Sequence, residues 1–131
     1  KDTKIKCMML DNLKTITTEY ICKQSIHAIF INEGQFFDDI VEWTKKIYHL
    51  NISVFICGLD GDYRQKQFGN FLDLIPYASK VTKLKANCEI CGWFRAAHTI
   101  RCINNDSQVV IGSKDIYKPV CGHCLCKINN N

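Results

Sequence analysis

The sequence has no long hydrophobic runs. No apolar stretch approaches the roughly 18 residues that a membrane-spanning helix needs, and no charged start followed by an apolar run and small residues resembles a signal peptide. These absences argue against a membrane protein. They favour a soluble, intracellular protein, which we expect in the cytoplasm.

A concentrated basic surface is also missing. The chain has 17 basic and 13 acidic residues, a net charge of +4, and its densest basic group is only Lys80, Lys83 and Lys85. Proteins that bind nucleic acid usually carry a clustered basic patch. The charge is therefore compatible with small anionic ligands and gives little support to a nucleic-acid partner.

Two short apolar runs, residues 25–31 and 51–59, are typical of buried strands. Between them, apolar residues recur at steps of three and four, which predicts one helix face. That face comprises Phe37, Ile40, Val41, Thr44, Ile47 and Tyr48. Asp38 and Asp39 precede the helix and are expected to cap it. Strand, helix and strand in this order predict parallel strands joined by a right-handed crossover.

The next segment predicts a short helix over residues 68–80, which stops near Pro76, and a further strand over residues 81–84. After this point the sequence changes its character. We place a domain boundary near residue 86, so that residues 1–86 form a partial α/β nucleotide-binding core.

The remaining part, residues 87–131, is predicted to be a small separate domain. It contains two alternating segments, 98–103 and 108–112, joined by the turn-forming stretch 104–107. These features predict a short β-hairpin.

The chain has nine cysteines, an odd number that is unevenly spaced, unlike a secreted disulfide framework. Cys7, Cys22 and Cys57 lie in or near apolar stretches and are expected to be buried as small hydrophobic residues. Cys102 and Cys126 are left without an assigned role. The other four form two C-x-x-C pairs, namely Cys88, Cys91, Cys121 and Cys124.

Two C-x-x-C turns can bring four thiolates to one point, which suits tetrahedral zinc at about 2.3 Å per bond. Four protein ligands leave no position for water or substrate, so the predicted role is structural. Two unrelated thiol pairs, or a redox pair, are the alternatives. A ribbon of this size needs such a metal because it cannot bury enough apolar surface by itself. His123, inside the second pair, is expected to be a surface histidine.

Glu33 follows the first predicted strand directly and precedes Gly34. Ligands of open α/β sheets bind at the carboxyl ends of strands. An acid there can take a proton or hold magnesium, and Gly34 would let a phosphate or nucleoside approach the backbone. From the residues alone, a solvated or capping glutamate is the alternative.

Four segments together resemble the thymidine kinases of the zinc-containing cellular and poxviral type. They read "INEGQFFDDIVEW", "GLDGDYRQKQFGNFLDLIPYA", "VTKLKANCEIC" and "VVIGSKDIYKPVC". The resemblance extends in order from about Ile31 to Cys124. It implies an α/β fold with a P-loop-kinase-like parallel sheet, plus a small zinc-ribbon domain with a lasso-like loop. It also implies transfer of the γ-phosphoryl group of ATP to the 5′-hydroxyl of thymidine, with Mg²⁺ and structural Zn²⁺.

The resemblance assigns roles to individual positions. Glu33 matches the catalytic glutamate, which orients or deprotonates the 5′-hydroxyl. Residues matching those that enclose thymine are Phe36, Leu59, Tyr63, Phe68 and Thr99; without the resemblance, core packing would be the simpler interpretation of the aromatic ones. The lasso-like loop and its ligand-contacting tyrosine correspond to Gln108, Val109, Val110, Ile111, Gly112 and Tyr117.

A second set of positions is implied to lie beside ATP. The opening "KDTK" resembles the family's K-D-T-R motif. The set comprises Asp2, Thr3, Lys4, Asn32, Gly34 and Gln35. Asn32 departs from the family, which has at this position an acid that reaches Mg²⁺, so metal affinity should be weakened. The resemblance further suggests a homotetramer and feedback inhibition by dTTP.

The phosphate-binding pattern G-x-x-x-x-G-K-[ST] does not occur in the chain, and the first residue is Lys1. We expect the natural protein to carry an amino-terminal portion with this loop, and the present chain by itself to catalyse poorly. A naturally truncated, inactive relative is the alternative.

Two other functions stay open. A non-catalytic thymidine or dTTP sensor would combine the thymine pocket with the weakened metal site at Asn32. A zinc-ribbon module that binds nucleic acid would use the basic surplus together with Trp93 and Phe94 beside the metal site.

Overall fold

The computed structural model describes residues 5–110 and 116–130. Backbone contacts divide the chain into two compact units. The first comprises Lys1–Gly58 and Gly69–Tyr77, and the second comprises Leu59–Phe68 and Ala78–Asn131. The predicted domain boundary near residue 86 stays a prediction.

The first unit contains a small parallel sheet. Strand β1 (Ala28–Ile31) pairs with strand β2 (Ser53–Ile56), in a register that places Ala28 opposite Ser53 and Ile31 opposite Ile56. The predicted parallel pairing is therefore confirmed, within narrower bounds than 25–31 and 51–59.

The strands are buried on one face, not on both as predicted. Ile31 is buried and Ile29, Val54 and Ile56 are half-buried against the core. The opposite face carries Phe30 and Phe55, whose rings stack at 4.8 Å and are 75% and 55% exposed. Alternate side chains of a strand point to opposite faces, so one packed face leaves the other in contact with solvent within the described residues.

A helix connects the two strands, and its buried face differs from the predicted one. Helix α2 spans Ile40–Ile47, and α1 lies earlier, over Thr18–Lys23. The buried residues of α2 are Ile40, Trp43 and Ile47. Tyr48 was predicted on this face but follows the last helical residue and is 66% exposed. The aromatic residue that α2 buries is Trp43. Its indole Nε1 can be buried because it donates to the carbonyl of Ile16 at 2.9 Å.

Asp39 was predicted to cap α2 with its side chain, and this prediction is wrong. Asp39 occupies the N-cap position but makes no side-chain hydrogen bond to the helix. Its carboxylate instead accepts from the amides of Leu13 at 2.9 Å and Lys14 at 3.0 Å. These amides begin the short 3₁₀ helix Leu13–Thr15, where they would otherwise lack acceptors. Asp39 therefore fastens an earlier segment to α2.

The predicted helix over 68–80 is confirmed in part, as a 3₁₀ helix over Phe71–Tyr77 with Pro76 inside it. Its Leu74 joins the core of the first unit. That core consists of Leu13, Ile21, Ile31, Ile40, Trp43, Ile47 and Leu74.

The second unit is built on an antiparallel pair. Strand β3 (His98–Arg101) pairs with β4 (Tyr117–Val120), and helix α3 (Gly122–Asn129) follows. A hairpin was predicted, but with residues 108–112 as the second strand. The described part of that segment, 108–110, is not in a strand, because β4 takes the place beside β3.

Two further predictions fail in the described part of the chain. Residues 81–84 form no strand, and the side chains of Val81 and Leu84 are exposed. The three cysteines predicted to be buried are all exposed, namely Cys7, Cys22 and Cys57. Cys22 illustrates the reason, because its neighbour Ile21 supplies the buried face of α1 and adjacent helical residues point in different directions. Among the helices of residues 5–110 and 116–130, none has the length and apolarity that crossing a membrane requires.

The observed face of α2 can be tested by comparing two aromatic truncations. We expect Trp43→Ala to lower the free energy of unfolding by about 3–5 kcal/mol, because it opens a cavity and removes the bond to Ile16. Tyr48→Ala should cost about 1 kcal/mol or less. Urea unfolding followed by circular dichroism measures both. Equal costs would contradict this assignment of the buried face.

Candidate functional site

Glu33 lies directly after β1 in an uncommon backbone conformation. Its φ of 55° and ψ of 45° place it in the left-handed region, which costs a residue other than glycine on the order of 1 kcal/mol or more. The conformation reverses the chain from the strand end into the short 3₁₀ helix Gly34–Phe36. The Glu33 side chain is thereby left exposed at the carboxyl end of the strand.

Gln35 supports the Glu33 side chain from inside the unit. It is 3% exposed, and its Nε2 donates to Oε2 of Glu33 at 2.6 Å. Position 58, which packs against this side chain, requires glycine, because a Cβ at Gly58 would lie 2.3 Å from Oε1 of Gln35. A buried amide thus fixes one carboxylate oxygen of Glu33.

The other strand-end residues have structural contacts of their own. The amide of Gly34 donates to the carbonyl of Cys57 at 2.9 Å, and a Cβ at Gly34 would lie 2.7 Å from Cγ2 of Ile56. Close packing therefore requires glycine at this position. Asn32 is exposed, and its Oδ1 lies 3.1 Å from the thiol of Cys57, which donates to it. ATP contacts by Asn32, Gly34 and Gln35 stay predictions.

In the second unit, residues 60–68 form a tight turn organised by Asp62. The backbone amide of Asp62 donates to the carbonyl of Lys66, and its carboxylate accepts from the amides of Arg64 and Lys66 at 2.8 and 3.0 Å. Nε2 of Gln108 donates to the same carboxylate at 3.0 Å. Burial raises the pKa of Asp62, but the bonds from Lys66, Gln108 and Arg64 outweigh it, so the pKa is lowered.

Tyr63 and Tyr117 contact residues 105–110, which we term the loop 105–110. The Tyr63 hydroxyl donates to the carbonyl of Asn105 at 3.3 Å. The Tyr117 hydroxyl accepts from the amide of Val110 at 3.2 Å and donates to its carbonyl at 3.1 Å. Two tyrosines that the sequence assigns to the ligand site therefore hold the same loop.

The remaining predicted ligand-site residues are distributed over both units. Phe36 is exposed in the first unit. In the second unit, Leu59 and Val109 are exposed and Phe68 is buried. Thr99 is half-buried in β3, and its carbonyl accepts from Nε2 of Gln65 at 3.5 Å. Five residues predicted to contact ATP or thymidine lie outside the described residues, namely Asp2, Thr3, Lys4, Ile111 and Gly112.

Four cysteine sulfurs meet in the second unit, as their spacing predicts. The Sγ atoms of Cys88, Cys91, Cys121 and Cys124 all lie within 4.8 Å of one another. Cys91 and Cys121 are 3.8 Å apart, which is about the edge of a tetrahedron with zinc–sulfur bonds of about 2.3 Å. The donor set fits a metal ion such as zinc.

Local structure positions each cysteine pair. The first pair forms a turn in which the amide of Gly92 donates to the carbonyl of Cys88 at 2.8 Å. The second pair lies where β4 leads into α3, with Cys121 at the helix N-cap and Cys124 in the first turn. Helix amides and the positive end of the helix dipole favour thiolates at this position.

The thiols differ in how readily they ionise. Burial raises the pKa of Cys88, but backbone amide donors, the first of them from Cys121, outweigh burial and lower the pKa to about 6. Burial and then the neighbouring thiols raise the pKa of Cys124 to about 12. One thiolate therefore forms easily, whereas a full set needs a cation to offset the repulsion. His123, Cys102 and Cys126 are exposed and lie outside this group, as predicted for His123.

Two residues with many contacts in the site were missed from the sequence. Asp62 and Arg101 each bind several backbone groups. Asp62 lies in a turn-forming stretch beside Gly61, and that position could have suggested an aspartate that accepts backbone amides. Arg101 offered no comparable signal, because its partners are carbonyls of a loop whose path only the structure reveals.

A family model described as Thymidine kinase matches residues 2–125. A thymidine kinase of Oryza sativa subsp. japonica is 41% identical over 124 residues, 91% of this chain and 45% of that protein. A cytosolic thymidine kinase of Bos taurus is 40% identical over 105 residues, 79% of this chain and 43% of that protein.

A poxviral relative is equally similar. The thymidine kinase of Yaba monkey tumor virus is 42% identical over 104 residues, 79% of this chain and 56% of that protein. The chain thus spans about half the length of these relatives. This chain has both cellular and viral thymidine kinases among its relatives, and its own four cysteines form a cluster. These findings confirm the predicted resemblance to the zinc-containing cellular and poxviral type. The chain belongs to the thymidine kinase family.

Proposed function

We propose that this chain forms the nucleoside-binding and catalytic part of a thymidine kinase, which transfers the γ-phosphoryl group of ATP to the 5′-hydroxyl of thymidine. The observation that carries the proposal is the position of Glu33 in a family-matched chain. The side chain is exposed at the carboxyl end of a parallel strand, where α/β enzymes bind their ligands.

Glu33 is assigned the proton-handling role. Gln35 holds Oε2 at 2.6 Å, and we assign Oε1 to the 5′-hydroxyl of thymidine. The carboxylate accepts the hydrogen bond of this hydroxyl, orients its oxygen in line with the γ-phosphorus, and takes the proton as the bond to phosphorus forms. A buried amide partner limits the rotation of the carboxylate, which favours a single orientation of the nucleophile.

Thymine recognition is assigned mainly to the second unit. Tyr63, Phe68 and Leu59 would supply apolar contact, and aromatic faces stack well on flat bases. Backbone groups of the loop 105–110 would bind the polar edge of the base, with Gln108 fixed by its bond to Asp62. Thr99, Val109, Val110, Tyr117 and, in the first unit, Phe36 complete the assignment, together with Ile111 and Gly112.

The ATP side of the proposal is a P-loop-kinase-like core. Asn32, Gly34 and Gln35 are assigned to it, together with Asp2, Thr3 and Lys4. When bound with ATP, Mg²⁺ neutralises charge that develops on the phosphoryl oxygens. The Asn32 amide offers an oxygen without a negative charge, so it would hold this ion more weakly than an aspartate.

The cysteine cluster is assigned to a structural zinc ion. Four sulfur ligands close the coordination sphere, so the ion would take no part in the reaction. Cys91 precedes β3, and Cys121 follows β4. The ion would therefore fasten the strand pair from which the loop 105–110 emerges. A cytoplasmic homotetramer inhibited by dTTP is the remaining part of the proposal.

A non-catalytic thymidine sensor is the second candidate, and the observation that favours it is Asn32 in place of an acid. The nucleic-acid-binding alternative has Trp93 and Phe94 exposed near the cysteines, and a salt-sensitive gel shift would support it. Arg95 is the basic side chain that stacks on Trp93, at 4.6 Å from the ring.

The proposed function is tested with thymidine and one carboxylate variant. In the complete protein that carries this chain, we expect thymidine, but not uridine, to raise the melting temperature. We expect ATP-dependent formation of thymidine monophosphate, and we expect Glu33→Gln to lower kcat by about 100-fold or more with little change in thymidine affinity.

The control is Glu42→Gln, an exposed glutamate of α2 that binds Lys45 at 2.8 Å, and it should leave kcat unchanged. Stabilisation by thymidine without any phosphoryl transfer would favour the sensor. A Glu33→Gln variant with full kcat would reject the catalytic role of Glu33.

Asn32→Asp tests the metal side of the site. An added negative charge should make the binding free energy of Mg²⁺ more favourable by on the order of 1 kcal/mol or more. We therefore expect a several-fold lower Mg²⁺ concentration at half-maximal activity. Asn51→Asp, an exposed change before β2, is the matched control and should have no effect. An unchanged Mg²⁺ requirement in Asn32→Asp would contradict the placement of Asn32 beside the metal.

Metal analysis tests the cysteine cluster. The protein should bind one zinc ion per chain, and Cys91→Ser should lower zinc affinity by at least about 100-fold. Cys126→Ser, which changes an exposed thiol outside the cluster, should bind zinc normally. Chelation should accelerate amide hydrogen exchange in β3 and β4 before it does so in β1 and β2. Unchanged exchange after removal of zinc would contradict a structural role.

A further inference from the structure

The carbonyl groups of the loop 105–110 are bound by side chains. Outside any strand, four consecutive carbonyls, those of residues 105–108, accept hydrogen bonds from Tyr63, Arg64 or Arg101. Arg101 donates to three of these four carbonyls. Its Nη1 donates to Asn105 at 2.7 Å and also to Ser107, and its Nη2 donates to Gln108 at 2.9 Å.

Two tyrosine rings flank the same guanidinium group. Its Cζ atom lies 3.7 Å from the ring centroid of Tyr63 and 5.1 Å from that of Tyr117. Nη2 also donates to the Tyr117 hydroxyl at 2.6 Å. That hydroxyl in turn binds both backbone groups of Val110. Arg101 therefore binds three residues of the loop directly and contacts Val110 through the Tyr117 hydroxyl.

The composition of the loop explains why it needs such a support. Residues 104–108 are polar and exposed, so this stretch buries no apolar side chain that could fix its path. A planar guanidinium can donate several bonds in fixed directions while its face stacks on a ring. A lysine in the same place offers a single charged point with weaker directional preference.

We propose that Arg101 is a positioning residue that holds the loop 105–110 in the conformation that binds the nucleoside. The inference rests on the proposed function, because the loop is assigned to thymine there. Arg101 acts through Tyr63, Tyr117 and the loop backbone. Its loss therefore frees the loop and raises the entropy that thymidine must remove on binding.

The test compares three variants of the zinc-loaded complete protein. Arg101→Met keeps the length of the side chain and removes all donors, whereas Arg101→Lys keeps the charge. Arg95→Met is the matched control, because Arg95 also stacks on an aromatic ring, that of Trp93, whereas the hydrogen bonds described above for the loop 105–110 come from other side chains. Thymidine affinity is measured by calorimetry, zinc by metal analysis, and loop order by hydrogen exchange of the Val110 and Ser107 amides without nucleoside.

We expect Arg101→Met to weaken thymidine binding by roughly 10- to 100-fold and to accelerate exchange of the Val110 amide. Zinc content should be unchanged. Arg101→Lys should give intermediate values of both quantities, and Arg95→Met should match the unmodified protein.

Two results would overturn the proposal. One is normal thymidine affinity in Arg101→Met or, if that variant fails to fold, in Arg101→Lys. The other is exchange of the Val110 amide that is unchanged in a variant that retains zinc. Failure of the proposed function has a different signature, since the unmodified protein would then not bind thymidine at all. Hydrogen exchange would still measure whether Arg101 orders the loop.

Discussion

The second unit depends on the meeting of four sulfurs. Its buried hydrophobic cluster consists of Cys88, Ala96, Val120, Cys121 and Cys124, so three of its five members belong to the four-sulfur group. Such a cluster buries too little apolar surface to order a ribbon by the hydrophobic effect alone. Metal–sulfur bonds would supply the missing stabilisation and fasten both C-x-x-C turns. Strands β3 and β4 and the loop 105–110 lie between the two cysteine pairs in the chain, so the same bonds would hold all three in place.

Polar side chains organise the parts that the apolar cores do not reach. Asp39 binds the amides that begin an earlier 3₁₀ helix, Asp62 closes a tight turn, and Arg101 binds consecutive loop carbonyls. Each satisfies several backbone groups, whose bonds to a charged partner are stronger than those between neutral groups. At the strand end, the side-chain amide of Gln35 donates one hydrogen bond to the carboxylate of Glu33. The proposed site is therefore ordered by hydrogen bonds more than by packing.

Local patterns predicted the parts of the fold that local physics controls. Short apolar runs located β1 and β2, and their separation by a helix predicted parallel pairing, because parallel strands need a long crossover connection, which is usually a helix. Predictions failed where several partners compete. Residues 108–112 and 117–120 can both alternate as strands, but β4 leads directly into Cys121. Helical spacing likewise suited Tyr48, although Trp43 fills the core.

The sequence by itself determined the family, the four cysteines that form one cluster and the acid at the strand end, because these depend on residue identity and spacing along the chain. Tertiary structure decided which groups surround them. The Asp62–Gln108 bond and the stacking of Arg101 on Tyr63 join residues that are far apart in the chain. No local pattern encodes such pairs, since a hydrogen bond depends on distance and direction in space, which are set only when the strands and turns have packed.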